Sequence, residues 1–252
     1  MARRQAAGLH AAAVARGAVA VRPIAFFDVD RTLVDGYTGY ETSLFLIKVG
    51  IFKRRRLLQA LYYKLANLVH LAPVLRMYEI ANRDMAGQHI NTMRAHGRHI
   101  FDTWFAHRVF REGVLRVEHH RALGHEVVLL SSGPYMTVDV LHDRLGTDHC
   151  YSMGPALDPE GILLDEVRQP ITVDSLKLDV ARAHAKARGV DLAACFFYTD
   201  SVRDLALLAE IGGPNVVNPD RRLRREAARR GWPILEWRDH APPLRTAQLA
   251  AG

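Results

Sequence analysis

The sequence predicts an α/β protein: a parallel, doubly wound sheet flanked by helices, with a helical insertion after the first strand. Three observations lead there. Four short apolar runs end in polar or acidic residues, helical patterns lie between them, and the gap between the first two runs far exceeds what a crossover needs. Ligands in such sheets bind at the carboxyl ends of the strands, so three of these run ends should converge on one crevice.

The first run, residues 25–29, follows Pro23 and ends in acids, as a buried strand presenting polar groups at its C-terminal end would. Residues 126–130 form the second, ending in Ser131-Ser132-Gly133. The third, residues 195–198, ends in Thr199-Asp200-Ser201, and a short fourth at 215–217 runs into Asn218-Pro219-Asp220. Helical periodicity covers residues 113–123, 135–145, 176–188 and 204–210. Residues 153–168 read as a small hairpin turning at Asp158-Pro159-Glu160-Gly161. The expected organisation is a core of residues 23–36 and 112–238, a helical cap of 37–111, a flexible extension of 1–22 and a loose tail of 239–252.

The 252 residues are 49% hydrophobic, enough to bury a core, and the formal net charge is +7. A basic balance favours anionic partners: phosphate esters, nucleic acid or an acidic membrane surface. No apolar run approaches the ~20 residues needed to cross a bilayer. The two cysteines, Cys150 and Cys195, lie far apart and are expected to be reduced, buried thiols of a cytoplasmic protein. The first 22 residues are rich in alanine and arginine and contain no acid, like a transit or secretory start. However, Arg16 interrupts the apolar stretch and no clear cleavage site follows.

Asp28 and Asp30 stand two positions apart just beyond the first strand, able to serve as nucleophile and general acid/base. Close carboxylates repel, so a cation is expected to keep both ionised. Thr32 adds a hydroxyl in the following turn. A strand-ending acidic turn would explain these residues alone. At the second strand, the Ser131 hydroxyl and the N–H groups of Ser132 and Gly133 can cradle a phosphoryl oxygen, although serine–glycine turns are common after strands. Lys177, in the first turn of its helix, would ordinarily be a solvated surface residue; its functional reading is to neutralise phosphate charge and orient Asp28. Asp200 and Asp204 close the third strand, and oxygen-only ligands suit Mg²⁺. Asp200 can ligate directly, whereas Asp204 can act through water or fix Lys177.

In this order the four elements resemble the motifs of the haloacid dehalogenase-like (HAD) hydrolase superfamily, which has a Rossmann-like core. The likeness spans about residues 26–237. Within it, the cap after the first strand is similar to that of the subfamily IB enzymes, which include phosphoserine phosphatases, as is the ending Asn218-Pro219-Asp220-Arg221-Arg222-Leu223 followed by Gly231-Trp232-Pro233. The resemblance implies a Mg²⁺-dependent phosphomonoesterase in which Asp28 attacks phosphorus and Asp30 handles the leaving-group and water protons. It further implies Mg²⁺ held by the Asp28 side chain, the Asp30 carbonyl and Asp200, with Ser131 and Lys177 on the phosphoryl group. Two positions depart from the pattern: Arg31 and Thr199 stand where glycine is common. Asp30 argues against a dehalogenase, because that branch differs at the second acidic position.

The cap should set specificity, since the core motifs recognise only phosphate. Its stretch Lys53-Arg54-Arg55-Arg56, followed by the largely apolar residues 57–69, suits an amphipathic element on an anionic membrane or a greasy wall for a lipid phosphate. The plainer reading, which is preferred, is a buried cap helix with a solvated basic start. The expected substrate is a small phosphorylated metabolite, and the alternative is a phospholipid-headgroup phosphatase resembling phosphatidylglycerophosphatases. A catalytically silent phosphate-binding module would lack a nucleophile, acid or metal carboxylate, and none is missing. The arginines of 221–230 are expected to form a solvated helix face, with no nucleic-acid partner. The five cap histidines, His96 and His99 among them, and the pair His119-His120 are expected at helix ends or facing solvent.

Overall fold

The computed structural model describes residues 22–58, 61–62 and 74–244. The predicted N-terminal extension lies almost entirely outside these residues, as do most of the apolar cap stretch 57–69 and the last eight residues.

Strand β1, Ile24–Phe27, forms because four consecutive apolar side chains can be buried on both faces. Ala25 and Phe27 enter one hydrophobic cluster, and Ile24 and Phe26 enter the other on the opposite side of the sheet. β2 (Glu126–Pro134), β3 (His149–Met153), β6 (Phe196–Thr199), β7 (Gly213–Val217) and β8 (Ile234–Leu235) complete a six-stranded sheet of order β3-β2-β1-β6-β7-β8. Every pairing is parallel. From β1 the chain winds outward to β3, then returns beside β1 at β6 and winds the other way. The switch point therefore lies between β1 and β6, where open α/β sheets bind ligands.

Three expectations need correction. β2 runs on to Pro134, so Ser131, Ser132 and Gly133 lie within the strand and not in a turn ahead of a helix. β3 and β8 were not legible as strands. The tail is pinned through residue 244: Ala241 N–H donates to Val109 O (2.8 Å), and Leu244 packs against the core.

The helices largely occupy their predicted places. The insertion contributes α1 (Thr38–Lys48), α2 (Val74–Met85) and α3 (Ile90–Ile100), which runs on into a π-helical turn at Phe101–Phe105. Then follow α4 (Arg111–Ala122), α5 (Tyr135–Leu145), α6 (Leu176–Ala187), the short α7 (Leu205–Glu210) and α8 (Arg221–Arg230). Asp220 caps α8 by accepting from the N–H groups of Arg222 and Leu223 (2.6 and 3.0 Å). Its arginines are solvated as expected, Arg229 and Arg230 pairing with Glu226. The predicted hairpin is β4 (Pro155–Leu157) with β5 (Leu163–Val167), antiparallel.

The insertion is fastened at both ends. Val34 bridges Val109, and the Phe110 N–H donates to Leu33 O (2.9 Å). At its far side, Gly87 N–H donates to Leu163 O and Leu163 N–H to Gln88 O, both at 2.9 Å, joining it to the hairpin. Phe45, Leu46, Met93, Phe101 and Phe105 of the insertion share one buried cluster with Phe27, Leu129, Leu141 and Trp237. α3 lies so close to α5 that a Cβ on Gly97 would sit 2.0 Å from Met136 O.

His120 is not at the surface. It is 2% exposed, its Nε2 lies 2.9 Å from the Tyr198 hydroxyl, and its Nδ1 lies 2.9 Å from His125 Nδ1. Cys195 is buried and Cys150 only half-buried, both as free thiols.

Candidate active site

Asp28 follows β1 directly, and its N–H extends the ladder by donating to Tyr198 O of β6 (2.9 Å). The backbone then folds back on itself, with the N–H groups of Thr32, Leu33 and Val34 all directed at Val29 O (3.2, 2.9 and 3.0 Å). Arg31 takes φ +59° in this turn. That left-handed conformation is what glycine adopts at no steric cost, which gives the common glycine here a physical reason. The turn places Asp30 on the cavity wall, where its Oδ1 accepts from the Thr38 N–H at the start of α1 (2.9 Å).

Lys177 is not a solvated residue. It is 2% exposed, with Nζ 3.1 Å from Asp28 Oδ1 and 3.0 Å from Asp204 Oδ2. Thr199 donates its hydroxyl to the same Asp204 oxygen (2.6 Å). Burial opposes the charged ammonium, but Asp204 and Asp28 more than offset it and the Lys177 pKa rises. Asp204 thus fixes Lys177, and Thr199 fixes Asp204, a use for the threonine that glycine could not supply. Asp200, beyond the end of β6, receives Arg31 Nε at 3.2 Å.

The cavity above this floor is lined by Asp28, Asp30, Ser131, Ser132, Gly133, Lys177, Asp200 and Asp204 from the core. Tyr37, Tyr40, Ser43, Val74, Met77 and Tyr78 line it from the cap side. Eight of the nine predicted site residues are therefore brought together. Thr32 is the exception: it is fully buried, and its hydroxyl does not reach the cavity wall. Roles within the group also shift. The Gly133 N–H donates to Ser131 Oγ (2.9 Å), and Ser132 gives its hydroxyl to Thr172 O (2.7 Å). Of the predicted phosphate cradle, the Ser131 hydroxyl proton stays available. Tyr78, which sequence reasoning missed, donates its hydroxyl to Ser132 O (2.9 Å) and lines the cavity on the cap side. Only a tertiary contact reveals it; no local pattern marks this tyrosine.

The electrostatics call for a cation. Burial first, then Asp28 and Glu41, push Asp30 up to about 7, against the Thr38 hydrogen bond. Burial likewise raises Asp28 to about 6 despite Lys177, and raises Asp200 well above the usual carboxylate range despite Arg31. Four carboxylates, Asp28, Asp30, Asp200 and Asp204, face two cations, Lys177 and Arg31. A divalent ion matches the excess, and an all-oxygen donor set fits a hard one. Among the described residues, no three acidic, histidine or cysteine side chains converge as a metal site. Asp28, Asp30 and Asp200 all line the cavity, so oxygen donors of the kind such an ion takes are present there, with fewer than three carboxylates converging on one point. No helix among the described residues is long and apolar enough to cross a membrane.

A haloacid dehalogenase-like hydrolase family model matches residues 25–209. The chain is 29% identical over 237 residues to an inhibition of morphological differentiation protein of Streptomyces azureus, covering 92% of this chain and 83% of that one. It is 29% identical over 219 residues to a phosphoserine phosphatase of Mycobacterium tuberculosis, covering 85% and 70%. A solved structure of a protein of unknown function from Bordetella pertussis Tohama I shares the fold, with TM-score 0.76 and 20% identity, covering 85% of this chain and 98% of that one.

Proposed function

Because the chain belongs to the haloacid dehalogenase-like hydrolase family, we propose that it is a Mg²⁺-dependent phosphomonoesterase working through an aspartyl-phosphate on Asp28. One observation carries the reading: a fully buried lysine, Lys177, holds one Asp28 oxygen from below and is itself fixed by Asp204. A carboxylate clamped in this way presents its other oxygen to the cavity in a set direction, as an in-line attack needs. The relatives named as phosphatases support the reaction class.

The Asp28 oxygen attacks phosphorus, and the bond from phosphorus to the alcohol oxygen breaks. Asp30 gives that oxygen its proton, which suits a carboxyl that burial holds up to about 7. Asp30 then takes a proton from water, the resulting hydroxide attacks phosphorus, and inorganic phosphate leaves with Asp28 restored. Lys177 and the Ser131 hydroxyl bind the phosphoryl oxygens throughout. Asp28, Asp200 and the Asp30 carbonyl would hold Mg²⁺, which supplies neutralisation of charge on the phosphoryl group. The alcohol is that of a small phosphate ester.

Hydrolysis of an aryl phosphate by the purified protein, with Mg²⁺ and with chelator, tests the reading. Turnover should need the metal and fall at least ~10³-fold in Asp28→Asn. Metal-independent turnover, or full activity in that variant, would overturn it.

A further inference from the structure

The cap side of the cavity differs from what an amino-acid phosphate needs. Such a substrate brings an ammonium and a carboxylate beside the phosphate, and burying either without a partner is costly. Every described cap residue on the wall is uncharged: Tyr37, Gly39, Tyr40, Ser43, Val74, Met77 and Tyr78. From the core side, Arg203 and Asp174 also line it, as an ion pair 3.5 Å apart.

A second cavity adjoins the first. The two share Gly39, Ser43, Met77 and Tyr78 as common wall. The second is walled mostly by apolar side chains, Leu46, Phe52, Ile80, Met85 and Met136 among them. Its one charged side chain, Arg56, is held by Asp84 through two contacts of 2.7 and 3.1 Å.

We propose that this second cavity holds the leaving group of the substrate: the phosphate monoester of an uncharged alcohol with an extended apolar chain. The inference rests on the phosphatase reading for the chemistry at Asp28, but not for binding in the cavity. The phosphate sits against Lys177 and Ser131, and the chain passes Met77 and Tyr78 into the cleft between α1, α2 and the start of α5.

Two series measured with purified protein and Mg²⁺ test it. In the first, non-hydrolysable n-alkylphosphonates of two to eight carbons are titrated by calorimetry. In the second, kcat/KM is measured for the matching alkyl phosphates, O-phosphoserine and lysophosphatidate in mixed micelles. Affinity and kcat/KM should rise about fourfold per buried methylene until the cavity is full, with O-phosphoserine at least ~100-fold below the best alkyl ester. Ala81→Phe, which fills the cavity from α2, should flatten the rise. A plateau within the alkyl series identifies a soluble ester and a further rise to the micellar lipid a lipid headgroup; both uphold the proposal. Rising phosphonate affinity without turnover of any ester would uphold the cavity and sink the phosphatase reading. Flat affinity, a preference for O-phosphoserine, or a rise that survives Ala81→Phe overturns the proposal.

Discussion

Replacing Lys177 by methionine removes the charge and keeps most of the volume of a side chain that is 2% exposed. What remains is Asp28 and Asp204, both buried and both deprived of a cation 3.1 and 3.0 Å away. Breaking a buried ion pair from one side costs about 3–5 kcal/mol. In a chain of this size that lowers Tm by roughly 6–20 °C. The double variant Lys177→Met/Asp204→Asn should recover part of this, because the amide oxygen introduced at that position still accepts from Thr199 and Asp28 is then the one carboxylate left without its cation. Activity should behave differently. Loss of the ammonium from the phosphoryl site costs about 10²–10³ in kcat, as removal of an oriented electrostatic contact does elsewhere, and the second substitution cannot return it. Thermal melts and kcat for the four members of the cycle, at fixed Mg²⁺, separate the two effects. If Lys177→Met keeps kcat within about threefold, or if the double variant melts no higher than the single one, the assigned clamp is wrong.

Three further outcomes follow from geometry elsewhere. Burial first, and His125 next, depress His120 to about 4 from 6.5. The unfolded chain therefore takes up a proton that the folded one refuses, and stability is lost as pH falls from about 6.5 towards 4. The share is about 2–3 kcal/mol, and urea melts of His120→Gln should show a pH slope shallower by that amount. Gly97→Ala drives a Cβ against the Met136 carbonyl; overpacking less the helix gain leaves a net loss of roughly 2 kcal/mol, read as a Tm lower by about 4–8 °C. Arg31→Gly relieves the positive φ and frees Asp200, so half-saturation by Mg²⁺ in the activity assay should fall several-fold, and a rise would contradict the competition.

Most of the candidate site residues were legible because they stand at or near the C-terminal end of a strand, where local order fixes their direction. Asp28, Asp30 and Asp200 needed only an apolar run and the acid after it, and Ser131 needed only its strand. Partnerships were less legible. The pairing of Lys177 with Asp28 and Asp204 was open only as one reading beside a solvated helix face, and nothing near Ser132 announces that Thr172 takes its hydroxyl. β3 escaped notice because His149-Cys150-Tyr151-Ser152-Met153 is an edge strand of mixed polarity, half-buried at its first three positions. β8 is two residues long, too short for any periodicity. His120 stands at a helix end as expected, but such a pair usually faces water and here the sheet behind it offers the Tyr198 hydroxyl.

The hydrophobic cluster that runs from Phe45 and Phe105 of the insertion to Phe27 and Leu129 of the sheet makes the protein poor material for modular engineering. A lid joined only by linkers can be cut out, exchanged or evolved as a unit, but this one contributes side chains to the interior that the catalytic strands need. Melting should be a single calorimetric transition, and the sheet without residues 37–111 should fail to fold. Graftable specificity is thus closed to this protein, and new substrates must come from repainting the inner walls one side chain at a time.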